Sequence, residues 1–263
     1  MNTHALYSSL GLAWQLLRRD LHERHAGMLL GTWWWLVQPL ILLGLYTWVF
    51  GAVLQLRFAP HDVSNNFSYA HYLFAGLVVF NAFSEVLTRA PTCISDRRDL
   101  LLNTPLPLWI LPLLPVASSI VLEWLGLAVL VGVLLISGHA SWSLIWLYWP
   151  LLLVRLVLSL AASYSLACLG VFLRDLRQIM PAFLTVLLFI TPILYPLHSV
   201  PADYRAWYDW NALGHLVQAY RSMLFEANLK AALLMSLLFL ASVLLGFAAL
   251  LFQILAPRVR FAL

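Results

Sequence analysis

Lysine is nearly missing from this chain: Lys230 is the only one among 263 residues. Chemistry built on a lysine, such as a phosphate-binding loop or a Schiff base, has almost nothing to use. Charge of any kind is scarce. Asp, Glu, Lys and Arg make up 10% of the residues, where soluble domains carry about 25%. Cysteine is limited to Cys93 and Cys168, too few for a disulfide framework. Both fall near the ends of apolar runs and are read as free, buried, structural thiols. No Gly-Lys-Ser/Thr nucleotide loop, paired-Asp metal motif or His-Glu-x-x-His is present. His22 and His25 have no third or fourth ligand nearby, so no metal site is expected.

What remains is apolar. The hydrophobic share is 63% and the mean hydropathy +0.88, which excludes an ordinary soluble domain and leaves an integral membrane protein. The size leaves no room for a large separate soluble domain. The excess of 15 Lys+Arg over 11 Asp+Glu points to an anionic cytoplasmic leaflet before it points to nucleic acid.

The stretch from Arg18 to Pro39 marks where the chain leaves water. Charges crowd between Arg18 and Arg24, and none follows until Arg57. Before it, Leu6, Leu10, Ala13, Trp14, Leu17 and Leu21 recur at helical spacing. They predict an amphipathic helix over 4–25, lying along the membrane surface or packed on a partner. Asp20 precedes Arg24 by four residues, a favourable helical pairing. The first 27 residues carry no signal-peptide pattern.

Crossing a hydrocarbon core takes about 20 apolar residues in a helix. The gaps between charges predict six spans, at 29–54, 70–90, 108–136, 144–172, 178–196 and 231–256, in one membrane domain with no linker. With the N-terminus inside, the inner segments hold Arg18, Arg19, Arg24, Arg89, Arg97, Arg98, Arg174, Arg177, Arg258 and Arg260. The outer segments hold only Arg57, Arg205, Arg221 and Lys230. The asymmetry places both termini in the cytoplasm.

Several stretches are candidates for function. Residues 95–104 read as a short cytoplasmic helix, with Ser95 as its cap and Asp96 in its first turn. It is either a contact for a cytoplasmic partner or a solvated loop. Pro105, Pro107, Pro112 and Pro115 predict a kinked start to the third span. Glu123 and Arg155 lie at similar depth, roughly 20 and 17 Å from the outer ends of neighbouring spans. They predict a buried ion pair, the alternative being a polar conduit. Glu85 and Arg89 are four apart and form either a local pair or a contact for polar cargo. Trp33, Trp34 and Trp35 cannot share one helix face, so some look inward, although an aromatic belt accounts for most such residues. Segment 196–229 holds an apolar stretch too short to span, which predicts re-entrant or outer-surface helices. The spans carry too few carboxylates for an ion relay, so energy for uphill transport would come from another chain.

These motifs together resemble the permease subunit of type-2 ABC exporters for polysaccharides. They are Arg19-Asp20-Leu21 with Arg24, Leu30-Gly31 with Trp33 and Pro39, and Leu73-Phe74-Ala75-Gly76-Leu77. Asn81 with Phe83-Ser84-Glu85 follows, then Phe172-Leu173-Arg174-Asp175-Leu176 and Thr191-Pro192-Ile193-Leu194-Tyr195-Pro196. Val200-Pro201, Asn211 and Tyr220-Arg221 complete the set. Thr191 stands where that family usually has Ser, and Ala212 where it usually has Pro.

The resemblance implies an all-α homodimer of six-span subunits in the bacterial inner membrane, joined by two copies of a separate ATPase. No cofactor would sit on this chain; ATP and magnesium would belong to the ATPase. Ser95, Asp96, Arg97, Arg98, Asp99, Leu100 and Leu101 would form the coupling helix. Arg18, Arg19, Asp20 and Arg24 would lie at a cytoplasmic gate. Channel-lining candidates are Trp34, Trp35, Tyr46, Asn81, Glu85 and Tyr195, and helices within 200–227 would gate the periplasmic end. Cargo would be a lipid-linked glycan, O-antigen first, with capsule, teichoic acid, lipid or drug as alternatives. A membrane enzyme acting on polyprenyl-linked sugars would need a carboxylate cluster at one membrane face, and the sequence offers none.

Overall fold

A computed structural model describes residues 3–23, 31–53, 69–103, 106–136, 143–195, 200–201, 203, 208, 210–226 and 228–262. Every regular element among them is helical. Helix α1 covers Thr3–Glu23. A 3-10 turn at Gly31–Trp33 leads into α2, Trp34–Tyr46, which loosens into a π-helical stretch at Thr47–Val53. Helix α3 is Tyr69–Arg89. Single turns at Ala90–Thr92 and Ser95–Arg97 precede the short α4, Arg98–Asn103. Another turn at Leu108–Ile110 precedes α5, Leu113–Ile136. The rest comprises α6 (Ser143–Phe172), α7 (Leu176–Ile190), α8 (Ala212–Glu226) and α9 (Ala231–Ala262).

Among the described residues, four segments are long and apolar enough to cross a membrane: Tyr69–Thr92, Leu108–Ile136, Trp146–Phe172 and Ala231–Val259. The first and fifth expected spans instead coincide with shorter apolar helices, Leu36–Val49 and Leu176–Ile190. α7 stops because Pro192 disfavours helical backbone at Thr191, which sits at φ −79°, ψ 130°. Of the expected outer helix pair, α8 is described and is largely buried; most of 196–210 lies outside the described residues.

α3 is the central helix. Leu73, Ala75, Val79, Ala82 and Val86 along it are buried, and it packs against α5 and α8. α9 lies along α6 and turns Met235, Phe239, Val243, Phe247, Leu250 and Ile254 outward. Those positions recur every three or four residues, so they form one apolar stripe, the face that lipid would cover.

The proline-rich start of α5 shows how an irregular backbone survives in an apolar bundle. Carbonyls of Trp109 and Pro112 each have a proline three residues on, Pro112 and Pro115, with no N–H to give. α6 supplies both donors. Tyr164 Oη donates to Trp109 O at 2.9 Å and Ser163 Oγ to Pro112 O at 2.6 Å. A backbone carbonyl left bare in hydrocarbon costs several kcal/mol, so Tyr164 satisfies the carbonyl ahead of α5, while Ser163 adds a second donor to Pro112 O, which the first turn of α5 also serves.

A second apolar cluster closes one end of the bundle. It gathers Cys93, Ile94, Leu106, Leu111, Ala167 and Val259, with Ala13, Leu16, Leu17, Leu100 and Leu101 against it. α1, the 93–111 stretch and the end of α9 therefore share that end. The apolar stripe of α1 is divided: Ala13 and Leu17 pack on this cluster, while Trp14 is 66% exposed. α1 thus docks on its own chain. At the same end, a Cβ on Gly170 would sit 2.0 Å from Pro91 O, so glycine is what lets α6 pass the Ala90–Thr92 turn.

Candidate conduit and its polar junctions

A cavity of about 760 Å³ opens between α2, α3, α5 and α7. Its polar lining comes from Gln38 and Tyr46 on the α2 side and from Asn81, Glu85 and Arg89 on α3. Spacing of four puts the last three on one stripe of α3. Leu42, Phe74, Leu77, Leu122 and Leu188 supply apolar walls. A passage with both kinds of surface suits an amphiphile better than an ion.

Not every expected channel residue joins this cavity. Tyr46, Asn81 and Glu85 line it. Trp34 is partly exposed at the start of α2 and does not, and the side chain of Trp35 lies outside the described residues. Tyr195 is held elsewhere: its hydroxyl donates to Phe189 O at 2.6 Å and lies 2.5 Å from Tyr208 Oη.

One end of the cavity meets a junction of charges. Arg89 Nη2 donates to Asp20 Oδ1 at 2.5 Å, and Arg97 Nη2 donates to the same oxygen at 2.7 Å. Arg89 also lies 3.5 Å from Glu85 Oε1 and donates from Nη1 to Ser118 Oγ at 3.2 Å. Asp20 is buried, at 6% exposure. The helical spacing pointed it toward Arg24, which lies outside the described residues; its partners here come from 69 and 77 residues away. Arg18 and Arg19 stay exposed, and Arg18 lines a separate apolar pocket with Trp14, Trp33 and Leu125.

Residues 95–103 do form short helical turns, but Ser95 caps none of them. Its hydroxyl donates to Thr92 O at 3.1 Å, inside a 3-10 turn too tight for the expected cap. Ser95, Asp96 and Arg98 line a groove of about 440 Å³ with Arg174 and Arg177 of the α6–α7 turn. Asp99 is exposed, while Leu100 and Leu101 pack inward on the cluster described above. Beside them, burial pushes the Cys93 thiol up to about 12.

Two further junctions sit deeper. Arg155 Nε is 3.0 Å from Glu123 Oε2, with both side chains fully buried. The pair is close but not aligned for a hydrogen bond. Tyr220 donates to Glu123 from α8, and Arg155 Nη2 donates to Ser119 Oγ at 2.7 Å. Arg221, the next residue of α8, is also buried. It donates to Pro192 O and Ile193 O at 2.8 Å and to Tyr72 O at 3.2 Å, with the Tyr72 ring 3.7 Å away. Tyr69 donates to Leu194 O. The broken backbone after α7 is thus satisfied by side chains of α3 and α8. A Cβ on Gly76 would lie 2.8 Å from Arg221 Nη2, so glycine keeps the guanidinium's place open.

Among the described residues, no three His, Cys, Asp or Glu side chains gather as a metal site. The charged groups serve the bundle and border a cavity, and no nucleophile–base pair is among the contacts described. Such a fold and cavity define a multi-pass membrane transport subunit. The chain belongs to the ABC-2 type transporter family, whose sequence profile matches residues 12–225. It is 29% identical over 256 residues to the O-antigen export system permease protein RfbA of Myxococcus xanthus, across 94% of each chain. It is 28% identical over 218 residues to the polysialic acid transport protein KpsM of Escherichia coli, across 78% of each. A Klebsiella pneumoniae O-antigen export permease shares 23% over 232 residues, 84% of this chain and 85% of that one. The protein is thus an ABC-2 type transporter permease rather than an enzyme, and it is similar to permeases of polysaccharide export.

Proposed function

We propose that this chain is the membrane subunit of an ATP-driven exporter that moves a lipid-linked O-antigen across the bacterial inner membrane. The observation that carries the reading is the cavity between α2, α3, α5 and α7, polar along one stripe of α3 and apolar on its other walls. A glycan on a lipid carrier has the same two characters. The relative matched over 94% of its length is an O-antigen permease, and this favours O-antigen over capsule.

In this reading two copies assemble with two copies of a separate ATPase, which holds ATP and magnesium. Six spans place both termini in the cytoplasm. The Ser95–Leu101 segment couples to the ATPase through the groove it shares with Arg174 and Arg177. α1, with Arg18, Arg19, Asp20 and Arg24, forms the cytoplasmic gate. Trp34, Trp35 and Glu85 meet the cargo towards the inner end, Asn81 and Tyr46 follow, and Tyr195 lies towards the outer end of the path in the assembled dimer. α8 and the segment before it gate the outer end. The test is reconstitution with its partner ABC ATPase. Lipid-linked O-antigen should stimulate ATP hydrolysis and appear outside the vesicle. Stimulation by a capsular glycan alone would reassign the cargo, and hydrolysis by the permease without the ATPase would refute the reading.

A further inference from the structure

Asp20 Oδ1 is shared by two guanidinium groups that belong to different parts of the molecule. Arg97 sits in the Ser95–Arg97 turn, whose other residues Ser95 and Asp96 face the outer groove. Arg89 ends α3 and lines the cavity. One buried carboxylate oxygen therefore joins α1, the turn and the cavity-lining helix. If the turn is displaced, one of the two contacts must open.

The two contacts are not equivalent. Arg97 has no other carboxylate within ion-pair reach among the described residues. Parting it from Asp20 would leave that guanidinium, only 21% exposed, with no carboxylate while Asp20 kept Arg89, and a charge left unpaired in a largely buried site is unfavourable. Arg89 is already paired with a second carboxylate, Glu85 at 3.5 Å, and with Ser118 besides. Parting it from Asp20 leaves it paired. The apolar packing runs the same way: Leu16 and Leu17 of α1 and Leu100 and Leu101 of α4 pack on one cluster.

We infer that α1 and the 95–101 segment move as one unit, held by Asp20 to Arg97, and that the unit separates from α3 at Arg89. Glu85 then takes over Arg89, so the charge at the end of the cavity changes as the unit moves. Asp20 is a positioning residue, acting through Arg89 and Arg97. The inference rests on the proposal that an ATPase docks at this segment.

Pulsed electron spin resonance on the reconstituted permease–ATPase complex tests it. Spin labels go on exposed positions, Gln15→Cys with Asn103→Cys for α1 to α4, and Gln15→Cys with Thr88→Cys for α1 to α3. Cys93 and Cys168 are buried and stay in place, with the unsubstituted protein as the labelling blank. Between the nucleotide-free and ATP-trapped states, the 15–103 distance should hold and the 15–88 distance should change. Asp20→Asn should let the 15–103 distance change as well and cut glycan-stimulated ATP hydrolysis at least tenfold, with Asp20→Glu restoring both. A nucleotide-dependent 15–103 distance in the unaltered complex, or a constant 15–88 distance, overturns the inference. These two readings decide it even if Asp20→Asn does not fold. An ATPase that never associates would instead refute the proposed function.

Discussion

Glu123 and Arg155 allow a stability prediction with a definite sign. Both side chains are at zero exposure and 3.0 Å apart inside the helical bundle. Glu123→Ala leaves the guanidinium buried with Ser119 as a neutral partner and removes the acceptor of the Tyr220 hydroxyl. Breaking a buried pair from one side costs about 3–5 kcal/mol. At roughly 2–4 °C per kcal/mol, unfolding in detergent should begin about 6–20 °C lower. Glu123→Ala/Arg155→Ala removes the stranded charge along with its partner. It adds a cavity, but the charge is the larger effect, so the double variant should melt above Glu123→Ala. The assay is the fraction of monodisperse protein after a heating series for the parent, both single variants and the double. A double variant that melts at or below Glu123→Ala would show that the two charges do not depend on each other, and the ion-pair account would fail.

Three more consequences are open to direct measurement. Gly170→Ala drives a methyl group into Pro91 O, a backbone atom that cannot rotate away, so it should destabilise by about 1–3 kcal/mol in the same heating series; an unchanged midpoint would refute the close approach. Arg221→Lys should be destabilising despite keeping the charge, because one ammonium cannot reach Tyr72 O, Pro192 O and Ile193 O together. Each carbonyl left bare costs about 1–3 kcal/mol, and a neutral result would show that water replaces the fork. Cys93 should resist maleimide at pH 8 in the folded protein and react after denaturation, since burial holds it as a thiol. Its raised pKa favours the folded state fully below pH about 9, the ordinary thiol value, and that contribution is lost as pH rises toward about 12. Rapid labelling of the folded protein would contradict this burial.

The helices were legible where apolar length alone decides. Charge gaps expected 70–90 and 144–172, and α3 and α6 run over Tyr69–Arg89 and Ser143–Phe172. Counting residues inward brought Glu123 and Arg155 to one depth, because both helices rise at the same rate. The stop of α7 was also readable, since Pro192 restricts Thr191, yet the run of apolar residues past it hid the signal. Long-range partners were not readable. Helical spacing offers Asp20 only neighbours on its own helix, and nothing in a periodicity brings Arg89 and Arg97 to it. Tyr220 is a core position by its spacing; that its hydroxyl reaches Glu123 depends on how α8 docks on α5 and α6.

The placement of the few charges has a common logic. A membrane bundle has little hydrophobic force between its helices, since lipid is as apolar as they are. Directional contacts must then fix how the helices sit, and here they fall at the breaks in the fold. Arg221, Tyr69 and Tyr195 hold the interrupted chain after α7. Tyr164 and Ser163 hold the kinked start of α5. Both sets donate to backbone carbonyls, which offer no second charge state and no rival partner. Asp20 differs in kind: it joins two charged side chains, and one of them has another carboxylate within reach. Breaks held by carbonyls are suited to stay as they are, whereas a junction whose cation is shared between two carboxylates can open at one without stranding that cation. On that ground the moving part of this permease belongs at its charged end, beside Asp20, and the region around Arg221 serves as the fixed frame.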